Sequence, residues 1–191
     1  MELQKLDVKL FVEQPNTVPL ADFIDIFHGW IQATDGIYHD VADYSHMHAG
    51  PGIVLVARDA NLSIDESDNR RGLLYSQKSP LSGSNQEKLR ALLRCGLENF
   101  SKLEREPRLA GKFKLLGDEA VIAINARLTA SNTEESFAEV APEIEAVAKN
   151  IFSGSEIRLE REPDRRRQFA VRVKASRSIS TDELLGRLKE H

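Results

Sequence analysis

Apolar and polar residues alternate in "VKLFVE" (8–13), and "QPN" stops the run, which predicts a strand. The next segment changes period. Leu20, Phe23, Ile24, Phe27 and Ile31 recur at helical spacing, with Pro19 at the first turn. This predicts a helix over 20–33, with His28 on its polar side near Asp25 and Gln32. Strands are predicted over 37–43, "IVLVARD" and "GLLYSQK". Between the last two, "ANLSIDESDNRRG" reads as a polar connection with some strand character.

Three later helices open on capping pairs: Ser84 with Glu87, Asn132 with Glu135, and Ser180 with Glu183. The first, over 86–105, turns Leu89, Leu93, Gly96, Leu97, Phe100 and Leu103 to the core. The second, over 133–152, offers Phe137, Val140, Ile144, Val147, Ala148 and Ile151, with a kink or restart expected at Pro142. The third, over 181–189, is short and expected to fray. "KFKLLGDEAVIAINARL" reads as a hairpin turning at Gly117-Asp118, and "EIRLEREPDRRRQFAVRVKA" as another turning around Pro163-Asp164.

Hairpins outnumber obvious parallel crossovers. The expected class is therefore α+β, a largely antiparallel sheet with helices packed on it. The first half matches a ferredoxin-like (split βαβ) order, and the second repeats a hairpin-helix rhythm. Residues 1–175 read as a single domain with pseudo-halves 1–110 and 111–175. Residues 176–191 read as a C-terminal short helix or tail.

Composition narrows the class. The chain has 191 residues, 41% hydrophobic and 29% charged, with a net charge of -4. That suits a soluble protein with a sizeable core and no general attraction to nucleic acid. No apolar run approaches the roughly 20 residues that span a bilayer, and the N-terminus lacks a secretory pattern. One cysteine allows no disulfide framework or cysteine-rich zinc site. The expectation is a cytoplasmic protein without a membrane or nucleic-acid partner.

Candidate chemistry gathers in "IYHDVADYSHMHAGPG" (37–52), which holds three of the five histidines. One face of the strand would carry Ile37, His39, Val41 and Asp43, the other Tyr38, Asp40, Ala42 and Tyr44. In an extended segment His46 and His48 point to one side, and Asp43 completes a two-histidine, one-carboxylate metal set. The alternative is structural: Asp40 and Asp43 accept from loop amides and the histidines face apart or to water. Elsewhere, Arg71 and Tyr75 flank a glycine-led strand able to line a pocket. Asn125, Arg127 and the helix start after Asn132 form a candidate anion or nucleotide site. Residues 161–177 hold seven cations against two acids, either an anion patch or a charged edge that resists aggregation. Cys95 reads as a packed small residue. No GxSxG elbow, P-loop or GxGxxG is present.

"VKLFVEQP", "FIDIFHGWIQ", "HDVADYSHMHAGPGIVLV", "RRGLLYSQKSPL" and "INARLTASNTEESFAEVAPEIEAV" together resemble an uncharacterised bacterial protein family, over most of residues 6 to 174. The resemblance implies a bacterial, cytosolic, single-unit protein and transfers no site residue.

The resulting expectation is a non-catalytic binding or interaction module that uses a small-molecule pocket or a dimer interface, needs no cofactor and associates as a homodimer. The competing reading is a metal-dependent hydrolase centred on Asp43, His46 and His48. A metal titration separates the two. Under the metal reading, zinc, iron or manganese raises the melting temperature by mass action, and His46→Ala abolishes the rise. Under the structural reading, metal and EDTA leave it unchanged.

Overall fold

The computed structural model describes residues 1–126 and 130–189. In chain order the elements are β1 (Leu6–Val12), α1 (Leu20–Ala33), β2 (Tyr38–Tyr44), β3 (Gly52–Ala57), β4 (Ala60–Asp65), β5 (Gly72–Gln77), α2 (Asn85–Glu104), β6 (Leu115–Ile124), α3 (Glu134–Ile151), β7 (Ile157–Arg161), β8 (Ala170–Ala175) and α4 (Thr181–Lys189). The strands form one sheet in the order β2-β3-β4-β5-β1-β6-β8-β7. Every neighbouring pair is antiparallel, so the α+β class and the antiparallel sheet stand as expected. Each of α1, α2 and α3 joins two strands that run the same way, with one or three others lying between them.

The helices share one side of the sheet. α1 lies on β2 and β3, α2 on β1 and β5, and α3 on β7 and β8, while α2, α3 and α4 also pack on one another. The strand positions of one parity face them: Val8 and Leu10, Leu55, Leu62, Leu73, Ile122 and Val171 are all buried. Gly96 lets α2 settle onto β1. A Cβ there would stand 2.9 Å from Val8 Cγ1, closer than packed carbons come.

The helix starts follow the capping signals with one change. Ser84 and Glu87 form the reciprocal capping box, and Ser180 Oγ accepts from the Glu183 amide at 3.3 Å. For α3 the cap is Thr133, not Asn132. Asn132 is buried and tied to the β7–β8 connection: its amide donates to the carbonyls of Glu162 and Asp164, and its oxygen accepts from Arg161. α3 runs through Pro142 without a restart. α4 is packed, with Leu184 and Leu188 in the main core.

Other readings shift for identifiable reasons. Gly117-Asp118 is not a turn. β6 is one ten-residue strand with a positive-φ irregularity at Gly117. The backbone before α4 presses on that glycine, and the Ile179 amide donates to its carbonyl. "ANLSID" is a full strand whose polar Ser63 and Asp65 are buried on the side away from the helices. The core side of α1 is Phe23, Ile26, Phe27 and Trp30, rotated from the expected stripe. Trp30 sits against Tyr38, with the Lys102 ammonium 3.8 Å from its ring centroid.

Leu93 and Ile144 meet between α2 and α3, both nearly inaccessible. Leu93→Ala and Ile144→Ala should each cost roughly 2–5 kcal/mol in urea unfolding. Losses under about 0.5 kcal/mol at both positions would contradict this packing.

Candidate functional site

The side of the sheet without helices presents the other parity of each strand. On central β1 this row is Asp7, Lys9 and Phe11, and all three are buried. A charged row on an uncovered sheet face is ordinarily solvated. Here two loops come over it from opposite ends of the sheet. The β4–β5 turn, a single 3-10 turn at Ser67–Asn69, enters beside Phe11, while the β7–β8 connection enters beside Asp7. They meet where Arg167 Nη2 donates to both Asp68 oxygens at 3.0 and 3.3 Å. Asp68 and Asn69 both hold a left-handed backbone, which these residue types tolerate better than most.

Beneath this clasp lies a cavity of about 170 Å³. Lys9 Nζ donates to Asp65 Oδ2 at 2.5 Å and to the Ser67 carbonyl at 3.0 Å, and the two side chains are only 10% and 4% exposed. Burial pulls the Lys9 ammonium below its ordinary range, opposed chiefly by the Asp65 carboxylate. Arg70 lies over Phe11, its Cζ 3.9 Å from the ring centroid, and Lys9 and Arg172 stand at 5.3 and 5.5 Å. Arg70 grips Glu119 with both terminal nitrogens at 2.7 and 2.9 Å, and Arg172 donates to the same carboxylate. Burial works to raise the Glu119 carboxyl, but the two guanidiniums hold it below its ordinary range. Asp7 has no cation. Burial raises its carboxyl above the ordinary range, against the pull of Gln168 and Ser76. The arrangement is a small, partly covered space with an apolar floor and fixed donors around it. That suits binding and orienting a small polar ligand.

Arg167 and Arg172 of the basic run line this cavity, and most other residues singled out in the sequence lie elsewhere. β2 is an edge strand and mostly exposed, which removes the cost of placing two aspartates in it. A register shift between Tyr38 and Asp40 breaks the alternation expected there. Asp40 accepts from the Val41 amide and Asp43 from the Ser45 amide, both at 2.8 Å. Hydrogen bonds from Ser45 hold the Asp43 carboxyl below its ordinary range. The Tyr44 and His46 rings lie 6.5 Å apart, while His48 lines a different depression with Arg71. Asp43, His46 and His48 therefore do not converge. Among the described residues no three His, Cys, Asp or Glu side chains are grouped to hold a metal.

Arg71 links two loops by donating to Glu66, Asn16 Oδ1 and the Val18 carbonyl. Tyr75 faces the helices, donates to Gln77 Oε1 and lies beside Cys95, whose thiol burial pushes up. The Asn125 amide donates to the Lys5 carbonyl, and Arg127 lies outside the described residues. The basic run 161–177 is largely matched by distant acids: Arg161 by Glu134, Arg167 by Asp68, Arg172 by Glu119 and Lys174 by Glu160. A broader depression over the polar side of α1, about 520 Å³, holds Asp22, Asp25, His28 and Arg108, but it is open and nothing roofs it.

No helix among the described residues is long and apolar enough to cross a membrane. The chain matches no family model and no curated protein.

Two outcomes test this electrostatic account. Lys9→Met strands the buried Asp65 carboxylate and should cost about 3–5 kcal/mol in denaturant unfolding. Adding Asp65→Leu should recover most of that loss, since an apolar pair replaces an ion pair. Additive losses would refute the coupling. For Asp7 the sign follows from its raised carboxyl. As pH rises from about 4, the unfolded chain loses this proton first, so the folded state binds more protons and stability falls across that window. Asp7→Asn should therefore gain on the wild type as pH rises from 4 to 8. A difference constant with pH would contradict this.

Proposed function

We propose that the protein is a bacterial, cytoplasmic binding module without covalent chemistry, and that its ligand occupies the cavity beneath the Asp68–Arg167 clasp. One observation carries this reading: on the side of the sheet away from the described helices, the central strand buries Lys9 and Phe11 in the lining of a partly covered cavity, with Asp7 buried next in the row. A purely structural sheet face would be simpler with neutral polar residues there, because buried charges gain little net stability. Ala123 lies on the cavity floor, and Ala123→Leu fills space there with little change in polarity. In a thermal-shift screen of small polar compounds, those that raise the wild-type melting temperature should lose their effect in Ala123→Leu. Hits that persist unchanged in the filled variant would place binding elsewhere and sink this reading.

A homodimer through β2 is the accompanying proposal. Among the described residues Ile37, Tyr44 and Met47, at 47%, 40% and 50% exposed, are the large hydrophobics left in solvent, and all three lie on β2 or its flanks. The opposite edge, β7, carries Arg158, Glu160 and Arg161, charges that resist strand addition. Light scattering should give twice the 21.4 kDa chain mass, and Tyr44→Lys with Met47→Lys should return it to one chain. A wild-type protein that stays at one chain mass at high concentration ends the proposal.

A further inference from the structure

We propose that the ligand of the roofed cavity is a small carboxylate with a short apolar body. This rests on the cavity being the binding site. The carboxylates of the lining, and Glu119 beside it, already have protein donors. Asp65 accepts from Lys9 and from the Ser67 amide and hydroxyl. Glu119 accepts from Arg70 through both oxygens and from Arg172. Asp68 is gripped by Arg167, and Glu162 accepts from Arg167 and the Asp164 amide.

The cations retain capacity. An ammonium carries three donors and a guanidinium five. Lys9 commits to Asp65 and the Ser67 carbonyl, which leaves one N–H. Among the described residues Arg172 commits only Nη1, to Glu119, and Arg70 leaves its Nε unused. Each of these carboxylates thus has a cation, while N–H groups on three cations are left for a further acceptor, which suits an acceptor-rich ligand group. An arginine fork matches the plane and spacing of a carboxylate.

The remainder of the ligand meets hydrocarbon. Leu74, Val121, Ala123 and Ala170 line the cavity beside the Phe11 ring. Its volume of about 170 Å³ is small beside the roughly 300–1,000 Å³ of sites for drug-sized ligands, which favours a short chain. With Glu119, which lies outside the lining but binds Arg70 and Arg172, the cations Lys9, Arg70, Arg167 and Arg172 equal the acids Asp65, Asp68, Glu119 and Glu162 in number. Selection therefore rests on directed N–H groups and not on a positive field.

Calorimetric titration at constant ionic strength with butyrate, pentanoate, their amides, butylamine and inorganic phosphate tests the inference. Butyrate and pentanoate should bind, and the amides and the amine should bind at least about tenfold more weakly, as expected for losing a charge-assisted hydrogen bond. Arg172→Met should weaken carboxylate binding by about tenfold or more, and Arg172→Lys should keep part of it. Should Arg172→Met not fold, the Arg172→Lys arm and the carboxylate-to-amide ratio on the wild type decide. Amides or amines that bind as well as the acids, phosphate that binds where the carboxylates do not, or an Arg172→Met affinity within twofold of wild type would each overturn the carboxylate. Loss of every compound's binding in Ala123→Leu together with any of these leaves the site standing and only its ligand class refuted. Binding that ignores Ala123→Leu refutes the site itself.

Discussion

A charged side chain in the middle of a central strand persists only where its partner is fixed within reach, because an unpaired charge there loses its hydration without return. Lys9 meets this condition through Asp65, two strands away across β5, at 2.5 Å. The pairing depends on the antiparallel register of β1, β5 and β4, since a slip of one residue would turn Lys9 into the helix-side core. It also depends on the turn at Ser67, whose carbonyl takes a second Lys9 proton. The cavity, its roof and its donors are built outward from that pair.

The helices were legible because their signals are local. Ser84 with Glu87 sits within one turn, and the stripe from Leu89 to Leu103 repeats at a fixed period. The strands were legible where one side is apolar, as in β3 and β5. β4 was obscured because Asn61, Ser63 and Asp65 make its other side polar. Gly117-Asp118 has the composition of a turn, but its positive φ serves an irregularity pressed by the approach to α4. No short window of sequence distinguishes those two uses of a glycine.

The site was harder to see because its pairs are distant along the chain. Lys9 meets Asp65, Arg70 and Arg172 meet Glu119, and Arg167 meets Asp68. No spacing rule links such residues. One signal was present: "LDVKLFV" sets Asp7, Lys9 and Phe11 at alternate positions of a strand that is otherwise apolar. That is a charged face on a strand with the composition of a sheet centre. The histidine-rich stretch has the composition and local spacing of a ligand set, and neither reveals that β2 stands at an edge where aspartates and histidines are inexpensive.

The place of β1 in the sheet has a consequence for how the chain assembles. The meander β2-β3-β4-β5 pairs residues close in sequence, and so does the β7–β8 pair. β1 comes before all of them, yet its partners are β5 and, across α2, β6. Closing such long loops is slow relative to local hairpins. During synthesis β1, an apolar segment, must therefore wait for β5 before it has a strand partner, and its other edge stays open until residue 124 has followed. The strand at the middle of the finished sheet is secured in two steps, both by chain made well after it.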